Sequence, residues 1–400
     1  MAGDAVFEDA LAFAGDLIRI PGLSGDEEAV AERVRLEMEA LGLEDVRIDE
    51  AGNVIGVARG RGEAPAVLLN CHLDVVAEGD ESEWEYPPYG GVVDGGFLHG
   101  RGAMDIKGQL AIQTHAAAAL NGVAPGDVIV AHTVHEERGG LGMKALLESG
   151  SVAPGLVVIG EATGGDVCIG HRGRAEVEIV ISGVAGHASA PERARNALDL
   201  LGDALAAARD LSSVQRSDPV LGTASVVATT VEVGPESRNV IPDHVVVTLD
   251  WRILPGDDDR SLLGRVRAAL ARRRPELPAG LSWNVRIAAE EQRTWTGLTE
   301  LRSQHTPGFL VDPDHPVVTA AATAVGRREG GGAARVRPWQ FATDGGWSCD
   351  VHGIFTIGFG PGEERYAHTN RERLNLEEAR WSLERYPELV VAAQRAMAGE

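Results

Sequence analysis

The sequence predicts an α/β fold, a three-layer domain with a buried sheet, interrupted by an inserted two-layer α+β domain of the ferredoxin-like kind. Three observations carry this. Short apolar runs alternate with helical stretches over residues 1–173 and return after 292. Residues 174–291 instead hold strands in which polar and apolar positions alternate. The length, 400 residues with 44% hydrophobic content, allows two cores rather than one. The expected boundaries are therefore 1–173 and 292–400 for the first domain and 174–291 for the insertion.

Residues 5–20 and 26–41 place apolar side chains at helical spacing, and Asp26, Glu27 and Glu28 suit a helix N-terminus, where the macrodipole favours negative charge. Strand-like runs follow at 53–58 (NVIGVA), 66–70 (AVLLN), 127–134 (DVIVAHTV) and 156–160 (LVVIG). Helical stretches at 105–120 and 141–149 lie between or after them, and the glycine-rich segment Gly90–Phe97 reads as an irregular hairpin. In the insertion, a strand at 174–183 (RAEVEIVISG) precedes a helix at 192–210, strands at 223–233 and 243–252, a helix at 257–274 and a strand at 281–290. That order is a split βαβ pattern, and its alternation needs only one covered face. After 292, a helix at 315–327, a strand at 353–358 and a helix at 376–397 resume the first domain.

Composition excludes several classes of function. Lys plus Arg number 37 against 60 Asp plus Glu, a net charge of −23 that repels phosphate backbones, so no nucleic-acid partner is expected. Cys71, Cys168 and Cys349 are too few and too scattered for a disulfide framework or a thiolate cage. No window approaches 18 uncharged apolar residues and no basic segment precedes an apolar stretch near residue 1, so the expectation is a cytoplasmic protein without a membrane anchor.

The chemistry begins at AVLLNCHLDVV, residues 66–76, where His72 and Asp74 share one face at the end of a strand. Asp105 opens a helical stretch, Glu136 and Glu137 follow DVIVAHTV, Glu161 follows LVVIG, and His368 lies nine residues past IFTIGF. A packed histidine or a solvated glutamate accounts for any one of these. It does not account for an acidic or imidazole group at the ends of several buried strands, where α/β sheets place their sites. Several carboxylates brought together repel one another without a cation. Two divalent metals resolve that, and nitrogen and oxygen donors suit zinc, with cobalt or manganese as other occupants.

Taken together, LLNCHLDVV, GRGAMDIKGQ, TVHEERGG, GEAT and FGPGEERYAHTNRE resemble the M20 metallopeptidases, a family that includes deacetylases, desuccinylases, carboxypeptidases and aminoacylases. The resemblance covers essentially the whole chain. It implies a zinc-peptidase catalytic domain with a lid and dimerisation domain inserted, hence a homodimer. It also implies that His72 and Glu161 hold one metal, Glu137 and His368 the other, and Asp105 both. Asp74 would fix the ring of His72, and Glu136 would be the general base. A non-proline cis peptide is implied between Asp105 and Ile106. His187 in VAGHASAPERARNA resembles the histidine that stabilises the oxyanion, often in the partner's site. Asn239 in ESRNVIP and Arg252 in DWRILPG resemble contacts to a substrate carboxylate, which a guanidinium meets with two parallel hydrogen bonds. Arg172 and Gly173 in HRGR, near the hinge, would supply either support or recognition. Gly345 and Gly346 in ATDGGWS resemble a substrate loop whose exposed backbone donors bind that carboxylate. The combination of GRGAMDIKGQ, GEAT and TDGG looks most like hydrolases linked to selenium metabolism.

The resulting expectation is hydrolysis of an amide in an N-acyl amino acid or similar small carboxylate-bearing molecule. A di- or tripeptidase or carboxypeptidase of the same family is the first alternative, and a catalytically silent metal-binding scaffold the second.

Overall fold

Eight strands form the mixed sheet on which the first unit of the computed structural model is built; the residues described are 2–399. Their order is Glu44–Ile48, Val54–Ala58, Val128–Thr133, Val67–His72, Leu156–Ile159, Phe355–Gly358, Val167–Cys168, Val336–Arg337. The middle four run parallel. Both Val67–His72 and Val128–Thr133 are buried at every position. Because successive side chains point to opposite faces, both faces of the sheet are covered, which is the three-layer arrangement. Helices Ala2–Ile18, Glu28–Ala40, Lys107–Ala118, Leu141–Glu148, Pro316–Val325 and Leu376–Ala398 supply the cover. Leu68, Leu69, Val130 and Val158 are among the fully buried side chains, and cutting one such leucine to alanine costs about 2–5 kcal/mol.

The second unit is an antiparallel sheet in the order Ser225–Gly234, His244–Ile253, Gly173–Ser182, Ser282–Ile287, with His305–Thr306 also paired to Gly173–Ser182. Burial along Gly173–Ser182 alternates strictly, and Val177, Ile179 and Ile181 join Leu262, Val266 and Leu270 of the helix Asp259–Arg273 in a separate core. Strand, helix, two strands, helix and strand follow in the expected split βαβ order, so the chain is a mixed α/β domain carrying a smaller α+β insertion.

Two elements depart from the sequence-based reading. The helix expected at 192–210 begins at Leu201 after a tight turn over Ala197–Leu200. The preceding residues are spent on pairing, Val184 with Arg195 and Gly186–His187 with Val240–Ile241. The strand expected at 281–290 leaves the sheet after Ile287, and Ala289–Arg293 pairs with Thr299–Ser303 instead. The first unit comprises the chain up to His171, Gln292–Glu300 and Phe309 onward; the second comprises Arg172–Glu291 and Leu301–Gly308.

Candidate metal centre

His72 is the last residue of its strand, Glu136 and Glu137 follow Val128–Thr133 after a two-residue turn, and Glu161 lies two residues past Leu156–Ile159. These are the C-terminal ends of adjacent parallel strands. Asp105 enters from the loop ahead of helix Lys107–Ala118, and His368 from the segment beyond Phe355–Gly358. His368 sits in the left-handed backbone region at φ 57°, as does His135 at φ 56° beside the two glutamates. Side chains other than glycine enter that region at a cost, and such residues gather where a site needs them. The peptide between Asp105 and Ile106 is cis.

The side chains form two groups that share Asp105, His72–Asp105–Glu161 and Asp105–Glu137–His368, with the ligand atoms of each within 4.8 Å of one another. His72 Nε2 lies 3.2 Å from Asp105 Oδ1 and 3.5 Å from Glu161 Oε1. His368 Nε2 lies 3.3 Å from Asp105 Oδ2 and 3.1 Å from Glu137 Oε1. One oxygen of Asp105 therefore faces each group, as a bridging ligand requires. Burial pushes the Glu161 carboxyl up to about 7, with the Asp105 charge adding to the effect, and raises Glu137 for the same two reasons. The carboxylates of Asp105 and Glu137 hold the His368 imidazolium on to about pH 10. Protons are thus drawn to a cluster that a divalent cation would neutralise, and the donors, all imidazole nitrogen and carboxylate oxygen, fit such an ion. The neighbouring thiol of Cys71 is buried and faces Gln113 Oε1 at 3.3 Å, leaving it out of the donor set.

Asp74 does more than the role its position suggested. The ring of His72 is oriented by the main-chain carbonyl of Asp74, 2.7 Å from Nδ1, while the nearer carboxylate oxygen is 3.5 Å away. The carboxylate also accepts from the Ser24 hydroxyl at 2.6 Å and from the backbone N–H groups of Glu136 at 3.0 Å and Glu137 at 3.2 Å. Asp74 thereby ties the His72 strand to the turn bearing both glutamates. Burial raises the Glu136 carboxyl well above its ordinary range; His72 opposes this, and the charges of Glu161, Asp344 and Glu137 reinforce it.

Several supporting residues escaped the sequence-based reading. Glu27, fully buried, accepts from the backbone N–H of His135 at 3.2 Å. Arg293 O lies 3.2 Å from His135 Nε2, and Gln292 donates to Arg138 O at 2.7 Å, so two further contacts brace the same turn. Arg337 donates to Asp166, to Thr163 O and to Glu364, joining the loop after Glu161 to the loop before His368. Glu27 stood in an acidic run of the kind that opens many helices, and Arg337 lay in no recognisable pattern. Position alone could not have singled out either.

The loop ATDGGWS differs from its expected form. Gly345 and Gly346 are buried, and their N–H groups donate to Thr343 Oγ1 at 3.0 Å and Thr343 O at 3.3 Å. Exposed backbone donors are therefore not offered there. Gly345 is required by packing, since a Cβ would lie 2.5 Å from the ring of Phe309. The loop is anchored by Asp344 Oδ2, which accepts from Thr133 at 2.8 Å, and by the Thr343 N–H, which donates to His171 Nε2 at 3.1 Å.

The remaining candidates belong to the second unit. His187 is exposed; its Nδ1 accepts from the Ser189 N–H at 3.1 Å, which leaves the proton of the neutral ring on Nε2. Asn239 is its neighbour, with Asn239 O accepting from Ala188 N at 3.0 Å. Arg252 is half-buried on the strand His244–Ile253, its Nε donating to Asp250 at 3.0 Å. Arg172 donates to Thr223 O at 2.8 Å, and a Cβ at Gly173 would lie 2.5 Å from backbone atoms of Thr306 and Gly308, a structural demand for glycine.

Comparison with known proteins places these features among relatives. Residues 68–391 match the model of peptidase family M20/M25/M40. The chain is 33% identical over 374 residues to the uncharacterized protein YgeY of Escherichia coli (strain K12), covering 91% of this chain and 89% of that one. It is 31% identical over 300 residues to a succinyl-diaminopimelate desuccinylase of Dinoroseobacter shibae, covering 70% of this chain and 78% of the relative. In fold it is similar to a tripeptidase from Staphylococcus aureus, with a TM-score of 0.72 and 19% identity over 97% of this chain and 99% of the other. Among the described residues, no helix is long and apolar enough to cross a membrane.

Proposed function

The chain belongs to peptidase family M20/M25/M40, and from that premise we propose that it hydrolyses the amide of an N-acyl amino acid or a similar small carboxylate-bearing molecule. It is a metallohydrolase with a dinuclear metal-binding site. The observation that carries the reading is Asp105 facing both ligand groups, with the half-buried Glu136 on the turn beside them.

His72, Asp105 and Glu161 would hold one ion and Asp105, Glu137 and His368 the other; zinc suits these donors best. Such ions, when bound, polarise a carbonyl and lower the pKa of water. Glu136 takes a proton from the attacking water and returns it to the departing amine, a task for which its carboxyl must be free of metal and fixed in aim. Asp74 supplies that aim by accepting from the backbone of both glutamates. His187, whose Nδ1 accepts from the Ser189 N–H and leaves Nε2 to donate, is suited to an oxyanion. Arg252 and Asn239 would meet the substrate carboxylate, with Asp250 fixing the guanidinium of Arg252. Gly345 and Gly346 shape their loop rather than donate to substrate.

The desuccinylase among the relatives favours an acyl amide over a peptide. The segments GRGAMDIKGQ, GEAT and TDGG favour, within the family, the group linked to selenium metabolism, and the inserted unit favours a homodimer. The test is turnover of a mixed pool of N-acyl amino acids and dipeptides by metal-stripped protein, with and without zinc, read by mass spectrometry. Zinc-dependent release of an amine from one acyl compound is expected. Cleavage confined to dipeptides would replace this reading by a peptidase, and inertness of the zinc-loaded protein towards the whole pool would overturn it.

A further inference from the structure

We propose that Glu372 is a positioning residue that sets the bridging ligand Asp105 and the ligand His368 in register, and that the ion held by Asp105, Glu137 and His368 depends on it. The inference rests on the paired-ligand reading of the centre. Glu372 lies four residues beyond His368, and its side chain is fully buried. One carboxylate oxygen accepts from two consecutive backbone N–H groups, Met104 at 3.1 Å and Asp105 at 2.9 Å. The other accepts from Arg101 at 2.5 Å. Arg101 is itself fastened, donating to Ala77 O at 3.3 Å and lying 5.1 Å from the Trp84 ring.

The device that brings these segments together is a small three-stranded sheet. Val92–Asp94 and Phe97–His99 form a hairpin, and Arg373–Asn375 adds to it with Arg373 opposite His99. Extending that register by one residue sets Glu372 beside Gly100, whose N–H donates to Glu372 O at 3.3 Å. The glycine-rich hairpin thus docks the His368 segment against the loop Gly100–Asp105.

The two ion positions differ in how much they need this support. His72 and Glu161 follow buried strands, and their side chains are 2% and 6% exposed. His368 stands on a loop with its side chain 52% exposed, in a left-handed backbone conformation that the strands of the sheet do not impose. Asp105 and His368, two of the three ligands of the second position, both depend on the Glu372 clamp. The first position shares only Asp105 with it. Hydrogen-bonding groups behind metal ligands commonly govern affinity by roughly 10- to 100-fold.

The experiment is metal analysis of the full chain equilibrated in graded zinc buffers, with melting of the stripped protein as a parallel readout. Wild type should bind two ions; a single ion or none would refute the paired-ligand reading itself. Given two in wild type, Glu372→Ala should keep one ion near wild-type affinity and weaken the other by roughly 10-fold or more. Leu389→Ala, a buried lesion on Leu376–Ala398, should lower the melting temperature and keep both ions. Glu372→Gln combined with Arg101→Met leaves an acceptor for the two N–H groups and no unpaired buried charge. It should keep both ions, and it decides the matter if Glu372→Ala does not fold. Two ions at wild-type affinity in Glu372→Ala, equal loss of metal in Leu389→Ala, or loss of the second ion in the double variant would each overturn the proposal.

Discussion

The two units hold their candidate residues in opposite ways. In the first, His72, Asp105, Glu136, Glu137 and Glu161 stand at strand ends or in turns, and Asp74, Glu27, Arg337 and Glu372 fix the backbone beneath them. In the second, His187 and Asn239 are exposed and held by short local contacts. On the function proposed above, the difference would answer to two separate requirements of the reaction. A set of like charges keeps its geometry only when the scaffold is over-determined, whereas a donor that meets charge developing on the substrate needs the correct tautomer and access.

That contrast can be broken at its strongest point first. Glu136→Gln should lower kcat by about 10²- to 10⁴-fold, while metal analysis still finds two ions, because the Asp74 bonds go to the backbone of residue 136 rather than its side chain. Loss of an ion in that variant would make Glu136 a ligand and remove it as the base. His187→Ala should reduce kcat by about 10²-fold, the usual worth of one oxyanion donor, with metal content unchanged. A rise in KM at constant kcat would instead make His187 a binding residue, and the two units would then differ in more than rigidity.

The smallest effect concerns stability and is sharpest in the metal-free protein. Burial, with the Asp74 charge beside it, pushes the Glu27 carboxyl up to about 8 from 4.5. Above pH 4.5 the unfolded chain releases this proton, while the folded chain keeps it until about pH 8. The contribution of Glu27 is therefore whole below 4.5, declines as pH rises and is lost above about 8. Glu27→Gln should flatten that decline and unfold at higher denaturant than wild type at pH 8.5, by on the order of 2 kcal/mol. Denaturation curves of the two proteins that stay parallel from pH 5 to 8.5 would show that Glu27 is not the group responsible.

What could be read in the sequence was whatever depends on chain order. An apolar run followed at once by His72, by Glu136 and Glu137, or by Glu161 marks a strand end, and parallel strands bring such ends together, so the ligand groups were legible before any coordinates. Asp74 was legible as a neighbour of His72 but not as an acceptor for a turn more than sixty residues later in the sequence. Gly345 was noticed as a glycine, yet its reason, the Phe309 ring, lies in a distant segment. Glu27 and Glu372 act through main-chain N–H groups, which carry no residue identity and leave no trace in a sequence pattern. The helix expected from 192 was delayed to Leu201 because strand pairing with Val240–Ile241 outcompeted local helical preference.

The path of the chain around Gln292–Glu300 bears on how such proteins exchange parts. The second unit does not end at Glu291, since Leu301–Gly308 returns to it and His305–Thr306 pairs with Gly173–Ser182. A recombination event that moved this unit whole would have to transfer residues 172–308, and with them Gln292 and Arg293, which brace the turn of Glu136. The second unit and the contacts that brace the Glu136 turn would then be inherited as one cassette.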